Sequence, residues 1–166
     1  MDVNYLEKLY QHNNWANLQI IEACLALTDE QLDARPDSTT IGSIRDALEH
    51  FVTSQQGYLR TLTMPLEERL EPVPDPLLNE MYEAARRSGE GFIALVRDLS
   101  KVRPAPLETR DGYYVEAWVL IVQAINHATE HREQIKSMLT ALGVTPPNID
   151  GWDYGEVTHA LIPKSS

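Results

Sequence analysis

Two histidines, His127 and His131, stand four residues apart in the segment NHATEHREQI, which covers residues 126–135. In an α-helix, residues i and i+4 lie on one face with Cβ atoms about 5–6 Å apart, so both imidazoles can reach one metal ion. Both a metal site and a pair of ordinary hydrogen-bonded histidines fit this spacing. Apolar residues also occur on the same face, which is therefore not simply a solvated surface. The other positions on this face, in steps of three and four, are Leu120, Ala124, Gln134 and Met138.

The same segment matches the H-x-x-E-H pattern of inverzincin peptidases, in which the glutamate is the catalytic base. Here that glutamate is Glu130. Adjacent residues of a helix point about 100° apart, so Glu130 faces away from the side chain of His131. Those peptidases also take a carboxylate ligand from well downstream, whereas only a short and mostly irregular stretch follows His131. We therefore interpret the peptidase match as a coincidence.

A third ligand would favour the metal site, and the chain has five histidines. His12 lies in a polar stretch and His159 lies in the tail, so both are weak candidates. His50 lies in the middle of a predicted helix, on the flank of its apolar face. Three neutral imidazoles with a fourth position open to water form a catalytic type of zinc site, which lowers the pKa of bound water to about 7 or activates a thiol. The residues that lie on the same helix face as His50 all have small side chains or none: Ala47, Ser54 and Gly57.

Four segments with helical periodicity are separated by proline, glycine and aspartate clusters. Ser43, three residues before Asp46, predicts a capping box at the start of the second segment, and Gly143 predicts the end of the fourth. Four long amphipathic helices indicate an all-α four-helix bundle, which we expect to form one domain over residues 1–166. The long, proline-rich connections make a crossover topology at least as plausible as a simple up-down-up-down bundle. The segments cover approximately residues 3–27, 43–63, 76–99 and 116–142.

Asp111-Gly112 stands between two short strand-like runs, which predicts a small β-hairpin before the fourth helix. The tail from Pro146 is predicted to be mostly irregular, with Trp152 and Tyr154 packed back onto the bundle. Trp15 and Asn17 are predicted to make packing and capping contacts at the mouth of the bundle. The periodic faces assign core positions to all four helices, and these include Leu9, Cys24, Leu77, Leu99 and Trp118.

The chain is acidic, with 14 Lys and Arg residues, 25 Asp and Glu residues and a formal net charge of −11. Without a basic stripe, this balance argues against binding to nucleic acid and to anionic membranes. The apolar runs are too short for a transmembrane helix, and the N-terminus shows no signal-peptide pattern. The single cysteine, Cys24, excludes an internal disulfide and fits the reducing cytoplasm, where we expect the protein.

Four features occur in a fixed order over nearly the whole chain. They are HNNWANLQIIEACLAL in the first helix, TTIGSIRDALEHFVTSQQGYL in the second, the Asp-Gly hairpin, and VQAINHATEHREQI in the fourth. Together they resemble the DinB-like superfamily of bacterial damage-inducible four-helix proteins, in which Trp-Ala-Asn, G-S-I and N-H-x-x-x-H-R-x-Q segments are common. As an ordered set, these motifs are fairly specific.

The resemblance implies a bundle in up-down-down-up order and a divalent ion, zinc or nickel, held by one histidine of the second helix and two of the fourth. In this sequence these residues are His50, His127 and His131. The resemblance also places Gln134 beside the metal, as a pocket residue or as a partner of a ligand. Arg132 matches the same pattern, and we expect it to form a structural salt bridge with an acidic neighbour.

The resemblance also implies a class of function, because related members include bacillithiol S-transferases and mycothiol-dependent maleylpyruvate isomerases. We expect a metal-dependent transferase or isomerase that uses a low-molecular-weight thiol and a small-molecule substrate, in a homodimer. One alternative is a non-catalytic metal-binding or stress-response binding module. Two further alternatives are a small metal-dependent hydrolase and a metal-free bundle that dimerises through exposed apolar faces.

Overall fold

Four long α-helices form most of the protein, seen here in a computed structural model that describes residues 4–35, 42–70 and 74–164. The predicted helices are confirmed, and they begin and end up to five residues inside the predicted bounds. In chain order the helices are α1 (Tyr5–Leu25), α2 (Asp29–Asp33), α3 (Ile44–Thr63), α4 (Leu66–Arg69), α5 (Met81–Arg97), α6 (Ala117–Ala141) and α7 (Gly151–Val157). Short 3-10 turns, Leu78–Glu80 and Leu99–Lys101, flank α5.

The predicted hairpin precedes α6. Strand β1 (Leu107–Glu108) pairs antiparallel with β2 (Tyr114–Val115). Gly112 adopts a φ of 84° in the connecting turn, a conformation that glycine reaches at little steric cost. The tail, in contrast, was predicted to be mostly irregular, and this is wrong for α7. Asp150 begins that helix by accepting hydrogen bonds from two backbone N–H groups of the first turn, a capping pattern that sequence periodicity does not register.

The order and direction of the long helices follow from two apolar clusters. One cluster joins the end of α1, the first half of α3, the beginning of α5 and the second half of α6. The other joins the beginning of α1, the ends of α3 and α5, and the beginning of α6. Helices α1 and α6 therefore run one way and α3 and α5 run the other, which is the up-down-down-up order. Each of α1 and α3 packs against both α5 and α6, so α1 and α3 face each other diagonally.

Several predicted core positions are exposed. Trp118 and Trp152 are 64% and 75% exposed, so the first is not in the core and the second does not pack back onto the bundle. Tyr154 does pack back, against the ring of Trp15. Helical periodicity identifies a face but not its ends, and the mispredicted residues lie near helix ends or beyond them, where no neighbouring helix covers them. The remaining exposed positions are Leu9, Leu77 and Leu99.

A buried polar layer crosses the bundle, and we define it by the residues Asn13, Asn17, Gln55, Ser88 and Arg132. Within it, the Arg132 guanidinium donates to the Oδ1 atoms of Asn13, at 2.7 Å, and Asn17. Its other Nη atom donates to Thr129 Oγ1 at 2.9 Å. The predicted salt bridge of Arg132 is therefore wrong, because amide and hydroxyl oxygens hold its charge instead. The position predicted for Asn17 at the bundle mouth is also wrong, since its side chain is fully buried.

The same layer continues from α1 through α3 to α5. Asn17 Nδ2 donates to Gln55 Oε1 at 2.7 Å. Gln55 Nε2 then donates to Ser88 Oγ at 2.7 Å and to the Ala85 carbonyl oxygen at 3.1 Å. All four long helices are thus joined by buried hydrogen bonds. Leaving such groups unpaired would cost about 1–3 kcal/mol each, so the layer fixes how the helices align.

No helix within the described ranges is long and apolar enough to cross a membrane.

Candidate metal centre

Helix α3 carries His50 at the edge of its buried face. The helix begins with the predicted capping box, in which Ser43 Oγ accepts from the Asp46 N–H and Asp46 Oδ2 accepts from the Ser43 N–H. Hydrogen bonding of the Asp46 carboxylate to the Ser43 backbone N–H, and then to the Ser43 side chain, holds the pKa of Asp46 below its usual value, so the carboxylate stays charged at the positive end of the helix dipole. The buried face keeps α3 in one orientation, and its residues are Ile44, Ala47, Leu48, Phe51, Val52, Gln55 and Leu62.

Helix α6 carries His127 and His131 on the side that packs against α3. Its C-terminus is closed as predicted by Gly143, whose φ is 73°. The Gly143 N–H donates to the Thr140 carbonyl and the Val144 N–H donates to the Leu139 carbonyl, which together form a Schellman motif. Because α3 and α6 run antiparallel, the two helices bring their histidines together at the same level of the bundle.

The three predicted histidines meet at one point. The Nε2 atom of His127 lies 3.1 Å from Nε2 of His50 and 3.1 Å from Nε2 of His131. The three ligand atoms all lie within 4.8 Å of one another. His50 is exposed, His127 is intermediate and His131 is buried, so the cluster opens toward solvent on the α3 side.

This geometry fits a metal ion. Two imidazole nitrogens that bind one zinc ion at about 2.0–2.1 Å lie about 3.3–3.4 Å apart at tetrahedral angles, close to the observed separations. Neutral imidazole also suits nickel, copper and iron. Within the described residues, the cluster includes no cysteine, aspartate or glutamate as a fourth ligand. Three protein ligands with one open position are typical of catalytic rather than structural zinc sites.

The electrostatics of the cluster favour the neutral form that a metal requires. Burial, followed by the proximity of His131 and His50, lowers the pKa of His127 to about 4. Burial, with a further effect from His50, also lowers the pKa of His131. At neutral pH both rings are therefore uncharged, and an uncharged ring has one nitrogen with a lone pair to offer.

Gln134 lies one turn further along α6 and contacts His131. Its Oε1 is 3.0 Å from Nδ1 of that ring. The Nδ1–H tautomer of His131 donates this hydrogen bond, and the Nε2 lone pair is then directed at the cluster. Metal-binding histidines in proteins almost always donate their second ring nitrogen in this manner.

Tyr58 is a site residue that the sequence reasoning missed. Its ring lies edge to face with His127, with centroids 5.7 Å apart and planes 88° apart. The sequence did contain a signal for Tyr58, because His50, Ser54 and Tyr58 follow one another at steps of four and therefore lie on one face of α3. The ring of Tyr58 therefore forms one wall beside the cluster.

The other two histidines discussed above, the glutamate of the peptidase pattern and the single cysteine all lie outside the cluster. His12 Nε2 is 3.0 Å from the Ile149 carbonyl oxygen, and His159 is exposed at the end of α7. Glu130 is exposed and is not part of the cluster, which agrees with treating the peptidase pattern as a coincidence. Cys24 is fully buried, as predicted for a core position, and burial raises the pKa of its thiol to about 12, so this thiol is unreactive.

Comparison with known proteins agrees with this architecture. The DinB family model matches residues 1–164. Protein DinB of Bacillus subtilis (strain 168) is 28% identical over 147 residues, which cover 82% of this chain and 85% of that protein. A 1.70 Å crystal structure of a protein assigned to the DinB family, from Exiguobacterium sibiricum 255-15, covers 86% of this chain and 95% of its own. It has a TM-score of 0.64 and 19% identity, which supports the fold. Because the family model spans nearly the whole sequence, the chain belongs to the DinB family.

Proposed function

We propose that this protein is a metal-dependent enzyme that transfers or isomerises small molecules with the help of a low-molecular-weight thiol. The observation that carries the proposal is the three-histidine cluster, whose nitrogens converge while one side stays open. A zinc or nickel ion held there would supply Lewis acidity, which favours the thiolate form of a thiol at the open position.

The residues around the cluster have separate tasks in this proposal. His50, His127 and His131 hold the ion. Gln134 holds His131 in the tautomer that presents Nε2. Tyr58 packs its ring edge against His127 and limits the movement of that ring. The open side near His50 would admit the thiol, which gives its proton to solvent. Its sulfur then forms a bond to an electrophilic carbon of the substrate, and the bond to the leaving group breaks as that group departs with the electron pair.

Two alternatives receive less support from the geometry. A structural or sensing metal site is normally closed by a fourth protein ligand, and the described residues supply none. Zinc peptidases with an H-x-x-E-H pattern use a glutamate as general base beside the metal-bound water. The neighbouring acids Glu49 and Glu130 both lie outside the cluster. Thiol chemistry needs no such base, because coordination to a metal deprotonates a thiol directly.

The test is a thiol-consumption assay with metal-loaded protein. Purified protein would be reconstituted with zinc or nickel and mixed with a panel of biological thiols and the electrophile 1-chloro-2,4-dinitrobenzene. We expect chloride release that depends on protein, metal and at least one thiol, and that disappears in His127→Ala. The matched control is His159→Asn, because His159 is exposed at a φ of 56° that asparagine tolerates. Equal rates in wild type and His127→Ala would contradict the proposal.

A further inference from the structure

A cavity of about 590 Å³ lies beside the histidine cluster, bounded by α3, α5, the hairpin turn and residues 74–75. Its volume is within the range of about 300–1,000 Å³ that small-molecule sites occupy. Tyr58 lines this cavity and its ring also contacts His127, so the cavity and the cluster adjoin at Tyr58. Ser54 and Gly57 also line the cavity, and they lie on the same face of α3 as His50.

The charge of this cavity is opposite to that of the protein. Four arginines and two aspartates line it, so its formal balance is positive, whereas the whole chain carries a net charge of −11. Gathering like charges costs energy unless an anion offsets them. Burial, and then the proximity of Arg103 and Arg110, lowers the pKa of Arg69, while Glu108 acts in the opposite direction. The charged lining residues are Arg60, Arg69, Arg87, Arg110, Asp75 and Asp111.

Not all of these arginines can bind a ligand. Arg69 is buried, and it donates to Thr61 Oγ1 and to the Met64 and Glu108 carbonyl oxygens, so it ties α4 to α3 and β1. Arg87 and Arg110 are exposed at the cavity, on α5 and in the hairpin turn. Within the part of the chain that the structure describes, neither makes a hydrogen bond or an ion pair. Their guanidinium groups are therefore available to an anion.

The spacing of these features sets the shape of the ligand. With a rise of about 1.5 Å per residue, Gly57, which lines the cavity, lies about 10 Å along α3 from His50. Gly57 leaves this path open at its own position, because a Cβ atom built there would meet no atom within 4 Å. One end of an elongated molecule can thus lie at the histidines while the other end lies among the arginines.

We propose that the cavity binds the acidic end of an elongated small molecule, as carboxylate or phosphate, whose other end reaches the histidine cluster. Guanidinium groups bind both anions through paired, charge-assisted hydrogen bonds. The inference rests on the proposed function only for the reacting end, which would be the thiol. The binding of the acidic end depends on Arg87 and Arg110 alone.

The test is isothermal titration calorimetry of the full chain with three thiols. Glutathione carries carboxylates, coenzyme A carries phosphates, and β-mercaptoethanol carries no acidic group. The variants are Arg87→Gln with Arg110→Gln, and Gly57→Leu, which adds a side chain in the open path. The matched control is Arg86→Gln, which removes the neighbouring arginine on α5 that pairs with Glu83 and Glu90.

We expect glutathione or coenzyme A to bind the wild type, and to bind the double arginine variant about tenfold more weakly, as the loss of charge-assisted hydrogen bonds predicts. Gly57→Leu should weaken binding by a similar factor even though every charge is retained. Arg86→Gln should bind within about twofold of the wild type, and added salt should weaken binding by screening. The binding of β-mercaptoethanol should be the same in the wild type and the arginine variants.

The outcomes separate this inference from the proposed function. Zinc binding with thiol turnover, but equal glutathione and coenzyme A affinity in the double arginine variant, overturns the inference and leaves the function standing. Failure of both acidic thiols to bind the wild type also overturns it. Arginine-dependent binding in a protein that takes up no metal supports the anion site and removes the proposed metal function. Arginine-dependent binding by a metal-loaded protein that is unchanged in His127→Ala overturns the inference that the other end reaches the histidine cluster.

Discussion

His131 and Arg132 are neighbours on α6, yet they lie in two different polar environments. Arg132 belongs to the buried polar layer, where protein oxygens from α1 and α6 accept hydrogen bonds from its guanidinium. His131 belongs to the histidine cluster, where imidazole nitrogens face one another and solvent reaches one side. One polar group is thus satisfied entirely by the protein, and the other is arranged around a point that protein atoms do not fill.

The difference separates a role in folding from a role in binding. A buried polar network contributes to stability only when its members are satisfied, and the layer meets this condition across all four helices. Imidazole nitrogens directed at each other gain little from one another, because each lone pair lacks a strong donor. Such an arrangement is compatible with a metal ion at its centre. Mutations in the polar layer should therefore lower the free energy of unfolding, whereas mutations in the histidine cluster should lower the affinity for metal.

The largest expected effect is on folding, from Asn17→Ala in the polar layer. The change removes an acceptor of Arg132 and a donor to Gln55, and leaves a buried charge less well compensated. We expect the free energy of unfolding to fall by about 3 kcal/mol, measured by urea denaturation. Metal content per folded molecule should not change. Asn79→Ala, at an exposed asparagine, is the control, and a loss below about 1 kcal/mol for Asn17→Ala would contradict the role of the layer.

The second effect is on metal binding, from Gln134→Ala beside the cluster. Removing Oε1 releases His131 Nδ1, so the ring loses its fixed tautomer and orientation. We expect zinc affinity to fall by about tenfold, measured by competition with a chromophoric chelator, with little change in the urea midpoint. Thr140→Ala, at an exposed position on the opposite face of α6 from His131, should bind zinc like the wild type. Unchanged affinity in Gln134→Ala would show that this hydrogen bond does not support the site.

A smaller effect is expected from Ser88→Ala at the far end of the polar layer. Gln55 Nε2 loses one acceptor but retains the Ala85 carbonyl oxygen. The free energy of unfolding should therefore fall by about 1 kcal/mol or less, in the same urea experiment. A loss as large as that of Asn17→Ala would mean that the layer acts as one indivisible unit rather than as a graded network.

A further difference is a pH dependence of the metal-free protein. Folding lowers the pKa of His127 from 6.5 to about 4, so between these values the unfolded chain binds more protons than the folded one. The stability of the fold is therefore retained above about pH 6.5 and lost progressively as the pH falls toward 4. Urea midpoints across this range should fall more for the wild type than for His127→Ala. Parallel curves for the two proteins would contradict the pKa shift.

The sequence was sufficient for the helices because periodicity and capping are local. Ser43 with Asp46 and Gly143 fix helix ends through hydrogen bonds within a few residues, and both were predicted correctly. The exposure of Trp118 was not predictable in this way, because its burial depends on whether another element covers the beginning of α6. The short helix α7 was missed for a related reason, since seven residues carry too little periodicity to identify.

The candidate site was only partly predictable from the sequence. The spacing of His127 and His131 placed them on one face, but His50 comes from another helix, and the resemblance to a family was needed to select it. Arg132 shows the limit most clearly. A charged residue on a partly apolar helix suggests an acidic partner. The partners of Arg132 are instead Asn13 and Asn17, which are more than 110 positions away in the sequence and come close only because α1 packs against α6.

The central claim, that the histidine cluster is a metal centre, is tested most directly by metal content. The untagged protein and the double variant His127→Ala with His131→Ala would be purified in parallel and measured by elemental mass spectrometry. We predict nearly one zinc or nickel ion per wild-type chain and almost none in the variant, with both proteins equally helical by circular dichroism. Absence of metal from the wild type, even after reconstitution with zinc and nickel, would contradict the claim.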